Sequence, residues 1–122
     1  LEQYAKALKY YKQSLVLVKE LNDRESEAEI LLQIGKIKDN LSQFPKALEY
    51  YQQALRIFRD VGDRSGEGTT LNNIGSVYND LGEYAKALEF HQQALAINKE
   101  IGDRNGEGTT LNNIGLVYDS LG

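Results

Sequence analysis

Twenty-one residues, GDRSGEGTTLNNIGSVYNDLG from Gly62 to Gly82, return forty residues later as GDRNGEGTTLNNIGLVYDSLG from Gly102 to Gly122. Only four positions differ between the two copies: Ser65/Asn105, Ser76/Leu116, Asn79/Asp119 and Asp80/Ser120. Self-similarity at a fixed period of this size is the mark of stacked supersecondary units, each of which buries its apolar face against its neighbours. It argues for an array and against a single globular enzyme core.

Apolar spacing supplies the content of one unit. Tyr4, Ala7, Leu8, Tyr11, Ser14, Leu15, Val18 and Leu21 lie on one stripe of a helix, and the template recurs from Phe44 to Val61 and from Tyr84 to Ile101. Ser14, His91 and Asn98 are the polar intrusions. A second helix type carries Leu71, Ile74, Tyr78 and Leu81, repeated as Leu111, Ile114, Tyr118 and Leu121; its first copy reads Leu31, Ile34, Lys38 and Leu41. Between the two types stand Asn22-Asp23, Gly62-Asp63 and Gly102-Asp103. Asn or Gly can take the left-handed conformation that closes one helix, and Asp can accept the free amides that open the next. Pro45 fits the first turn of a helix because it lacks an amide hydrogen. The expected fold class is all-α, six antiparallel helices over about residues 3–21, 24–40, 45–61, 64–81, 84–101 and 104–121. Residues 1–122 are expected to form a single array with unit phase 1–40, 41–80 and 81–120, as a fragment of a longer repeat protein. Gly35, Gly75 and Gly115 share one phase, which marks close helix contact, since glycine inside a helix costs about 1 kcal/mol relative to alanine.

Composition narrows the chemistry. The chain has no cysteine and one histidine, which leaves no thiolate metal site and little material for a zinc cage or a histidine triad. Asp and Glu occur singly on helical faces, so no catalytic pair, no metal and no cofactor is expected. Gly62 to Gly68 is a poor phosphate loop, because no strand precedes it and Glu67 would repel the anion. Basic and acidic residues number seven and seven in residues 1–40, four and five in 41–80, and three and six in 81–122. That acidic drift argues against nucleic acid, which demands a basic face. No apolar run is long enough for a membrane span, so no membrane partner and a cytoplasmic location are expected.

These residues resemble the tetratricopeptide repeat (TPR): Leu71 at its large position, Ile74-Gly75 at its Leu-Gly, Tyr78 at its aromatic, then Ala87, His91 and Ala94. The forty-residue length is similar to the longer variant of kinesin light chains, Pins-type scaffolds and bacterial multi-repeat proteins. Lys38, Leu32-Gln33 and Lys99 depart from the pattern.

The resemblance implies a helix order B-A-B-A-B-A, with the A helices lining a concave groove. On this chain the groove falls to Thr69, Asn72, Asn73, Ser76, Asn79 and Asp80, and to Thr109, Asn112, Asn113, Leu116, Asp119 and Ser120, with Lys36 its one cation. The function implied is a non-catalytic protein–protein interaction module that holds a peptide or helical segment of a partner. The alternative is a regulatory or sensor arm of a larger enzyme or signalling protein. Paired carboxamides can bridge a peptide amide and carbonyl. Asn73 and Asn113 could serve in that way or tie neighbouring helices together, whereas Asn72 and Asn112 are expected to be exposed. A carboxylate clamp is disfavoured, because Lys36 stands alone. Head-to-tail self-association is also expected, through Tyr4, Leu8, Tyr11 and Leu15 at one end and Leu111, Ile114, Tyr118 and Leu121 at the other.

Overall fold

The computed structural model describes residues 1–122, and every regular element in it is an α-helix. The helices fall in two compact units. Unit 1, Leu1–Gly62, holds α1 (Glu2–Glu20), α2 (Arg24–Asn40) and α3 (Phe44–Val61). Unit 2, Asp63–Gly122, holds α4 (Arg64–Asp80), α5 (Tyr84–Glu100) and α6 (Arg104–Leu121). Each boundary lies within one residue of its sequence expectation, and the fold class is all-α, as expected.

The punctuation works as its chemistry requires. Asn22, Gly62 and Gly102 take positive φ values of 54°, 76° and 72°. The carboxylates of Asp23, Asp63 and Asp103 then accept from the amides of Ser26, Gly66 and Gly106 at 3.1, 2.9 and 2.8 Å. Removing such a cap costs about 1 kcal/mol. Pro45 sits in the first turn of α3. One turn departs from simple expectation: Ser42, at the phase of Gly82, is itself left-handed with φ 58°. A side chain in that conformation costs roughly 1–2 kcal/mol.

The close approach marked by the glycines is between α2 and α3 and between α4 and α5. A Cβ on Gly35 would lie 2.6 Å from Cδ1 of Tyr51, and one on Gly75 would lie 2.7 Å from Cε1 of His91. The glycine is therefore the recess that receives the ring of the following helix. Gly115 meets nothing within 4 Å. Around these contacts Leu31, Ile34, Ala47 and Ala54 of unit 1, and Leu71, Ile74, Ala87 and Ala94 of unit 2, are fully buried. An ion pair recurs in each unit, Arg24–Asp60 at 3.5 Å and Arg64–Glu100 at 2.7 Å, joining the start of one helix to the end of the next.

Candidate functional site

The polar residues of unit 2 gather in a cleft of about 240 Å³. Helix α4 contributes Thr69, Asn72 and Asn73, and α6 contributes Thr109 and Asn113. All five were expected from the sequence. Asn98, Asp103 and Gly106 complete the wall and were not. Their signal was legible in part: Asn98 is a polar residue on an apolar stripe, at the phase where Phe58 stands in unit 1.

The asparagines turn out to have different duties. Asn72 is half-buried rather than exposed, and both ends of its carboxamide are engaged. Its Nδ2 donates to Oγ1 of Thr110 at 2.7 Å, and its Oδ1 lies 2.9 Å from Nδ1 of His91. Because the amide nitrogen points to Thr110, the oxygen faces the ring, which assigns the imidazole proton to Nδ1. Asn98 donates to the same Thr110 oxygen at 2.6 Å. So Asn72 ties α4 to α5 and to α6, and burial holds His91 below its ordinary pKa.

Asn73, its neighbour, is half-buried with an Nδ2 that has no hydrogen-bond partner. Asn79 is in the same condition at Oδ1. The cause can be read from unit 1, where the hydroxyl of Tyr51 donates to Asp39 at 3.2 Å. Burial first, and Asp39 second, push the Tyr51 hydroxyl well above its usual pKa. Asn79 stands at the phase of Asp39, but His91 replaces the tyrosine, is shorter, and bonds Asn72 instead. Among the other expected positions Ser76 and Asn113 are half-buried, and Asn112, Leu116, Asp119, Asp80 and Ser120 are exposed. Lys36 is exposed in unit 1. The cleft thus offers carboxamide and hydroxyl donors and acceptors beside one carboxylate, Asp103, which is engaged by the Gly106 amide, with no nucleophile and base set against each other. No cluster of three His, Cys, Asp or Glu side chains converges in the chain, and no helix is long and apolar enough to cross a membrane.

Solved structures share the fold. BtubC (BKLC) from P. vanneervenii superposes with a TM-score of 0.87 at 25% identity, over 98% of this chain and 50% of that one. A Signal Transduction ATPase with Numerous Domains from Pyrococcus horikoshii, which carries a tetratricopeptide repeat sensor, gives 0.86 at 24% identity, over 94% and 18%. Aspartyl phosphate phosphatase F from Bacillus subtilis gives 0.81 at 21% identity, over 99% and 35%. The chain spans half or less of the length of each. No curated protein sequence matches it significantly. The family model for the tetratricopeptide repeat matches residues 1–60 and 66–122, nearly the whole length. On that match, and on the helix pairs and close-packed glycines that underlie it, the chain belongs to the tetratricopeptide repeat family.

Proposed function

We propose that the cleft of unit 2 holds an extended or helical segment of a partner protein, gripping its backbone through asparagine carboxamides. Repeats of this family typically serve protein–protein interaction or sensing and are non-catalytic. The observation that carries the reading is the contrast between two adjacent residues. Asn72 is satisfied inside the protein, while Asn73 lines the same cleft with an unpartnered amide nitrogen. An unsatisfied buried donor costs roughly 1–3 kcal/mol. Rotation about χ2 of Asn73 would present that donor to the cleft, where a peptide carbonyl could accept from it. Asn113 lies across the cleft on α6, so a backbone laid between the two would meet a carboxamide from each side.

The test is a peptide selected against the 122-residue chain, with affinity measured for Asn73→Ala and Asn113→Ala. Loss of about ten-fold for each, equivalent to about 1.4 kcal/mol, with the melting temperature held, supports the ladder. Unchanged affinity with a melting temperature lowered by several degrees would make both asparagines structural and sink it.

A further inference from the structure

Lys38 occupies the phase at which unit 2 carries Tyr78. There the Tyr78 ring stacks on Phe90 with centroids 5.5 Å apart and planes 10° apart, and Nζ of Lys86 sits 5.3 Å above its centroid. The corresponding partners in unit 1 are Tyr50 and Lys46, with the aromatic plate between them replaced by an amine. A cleft of about 450 Å³ opens there, lined by Lys12 of α1, Lys38 of α2, and Lys46 and Arg56 of α3, against the single carboxylate of Glu49. None of the four cations is ion-paired.

Two arguments separate this cluster from ordinary solvated lysines. The first is repeat register. At the same phases one unit later stand Gln52, Tyr78, Lys86 and Ala96, so three of the four charges are peculiar to this cleft. The second is placement. Lys38 is half-buried where the fold elsewhere takes an aromatic ring, and burial, with Lys46 and Lys12 adding to it, disfavours its charged form. Neither packing nor stability accounts for a lysine there, because an aromatic would bury more apolar area and add no like-charge repulsion. An anion in the cleft would relieve that repulsion.

We propose that this cleft binds the carboxylate side chains of an acidic segment of a partner protein. The walls favour a peptide over a compact phosphate. Glu49 among the cations repels a dense dianion, whereas the carboxamides of Gln52 and Gln53 and the hydroxyl of Tyr50 suit a chain with backbone groups to satisfy. A second cleft of about 320 Å³ shares Gln52 and Arg56 with the first and adds Leu55, Arg59 and Asp60, whose carboxylate is paired with Arg24, so an extended segment has an adjoining path whose added acid is already neutralised. Nucleic acid is disfavoured by the net charge of −4. This site lies in unit 1 and is independent of the asparagine cleft.

The probes are a fluorescein-labelled Glu/Ser peptide and its Gln/Ser counterpart, followed by fluorescence anisotropy on the 122-residue chain. The combined variant Lys12→Gln, Lys38→Tyr, Arg56→Ala installs the residues that the following unit carries, and its fold is checked by circular dichroism. Arg56→Gln, at an exposed position, gives an arm that does not disturb packing. The Glu peptide is expected to bind at least about ten-fold more tightly than the Gln peptide, to weaken about three-fold with Arg56→Gln, and to lose its preference in the combined variant. Equal affinity for the two peptides, or an unaltered preference in both variants, overturns the proposal. So does tighter binding of inorganic phosphate or of a single-stranded oligonucleotide than of the Glu peptide.

Discussion

Nδ1 of His91 and Oδ1 of Asn72 lie 2.9 Å apart and take the place of a different pairing forty residues earlier, in which the Tyr51 hydroxyl meets Asp39. The two solutions to one buried ring position bring different companions. With Tyr51, position 32 is the apolar Leu32, 5% exposed, and position 39 is an acceptor. With His91, position 72 is a carboxamide, and position 79 keeps an oxygen with nothing to bond. The pairs should therefore exchange only as sets. His91→Tyr alone offers Asn79 a hydroxyl but strands Oδ1 of Asn72, and Asn72→Leu alone strands the imidazole, whereas the double variant restores the unit 1 pairing of a tyrosine with a leucine. A double-mutant cycle by urea denaturation is expected to show a favourable coupling of about 1 kcal/mol or more. Additive effects within a few tenths of a kcal/mol would mean that the contact carries no energy.

The glycine phase makes a second prediction with opposite signs at equivalent positions. Alanine gains about 1 kcal/mol over glycine in a helix, but overpacking a tight interior costs typically 1–3 kcal/mol. Gly35→Ala and Gly75→Ala drive a methyl into the Tyr51 and His91 rings, so both are expected to lower the melting temperature. Gly115→Ala meets nothing within 4 Å and is expected to raise it. Calorimetry that gives all three the same sign would contradict the close-approach account.

Self-association is the third. Helix α6 leaves Leu111, Tyr118 and Leu121 49%, 56% and 54% exposed. On α1 the expected face of Tyr4, Leu8, Tyr11 and Leu15 is already half-buried, and Tyr10, Val16 and Leu17 are the open side chains. Burying a few such groups contributes roughly 1.5–3 kcal/mol each before the cost of association. We propose head-to-tail contact between α6 of one copy and α1 of the next, a heterologous interface that propagates. Light scattering should show mass rising with concentration toward the millimolar range, and Leu111→Gln with Tyr118→Gln should abolish the rise. A monomer mass throughout for the unsubstituted chain rules the contact out.

The helices and their ends were legible because their causes are local. Asp63 caps Gly66 three residues on, and the stripe from Leu71 to Leu81 needs only helical period. The roles of Asn72 and Asn73 were not legible, because they depend on which ring the next helix presents, and adjacent identical side chains diverge only once packed. Ser42 escaped for a related reason: serine carries no strong left-handed signal, and the register of two helices imposes its φ. The basic cleft of unit 1 was visible only as the anomaly Lys38, since Lys12 and Arg56 are far apart in sequence.

The last prediction concerns acid. His91 is 1% exposed, and burial lowers its folded-state pKa below the 6.5 of the free side chain. Above pH 6.5 both native and unfolded chains carry a neutral ring and stability is at its full value. As the pH falls through 6.5 the unfolded chain takes up a proton that the native chain refuses, so stability declines toward the lower, native pKa. The slope can reach about 1.4 kcal/mol per pH unit within that window. Asp23 and Glu100 are held below the ordinary carboxylate range by hydrogen bonds from Ser26 and Arg64, so they titrate at more acid pH than the interval just below 6.5. His91 is the only histidine, so the effect belongs to one residue. The melting temperature is expected to drop between pH 7.5 and 5.5 by about 4 °C for each kcal/mol lost, and His91→Tyr should flatten that limb. An equal drop in the tyrosine variant would assign the acid sensitivity elsewhere.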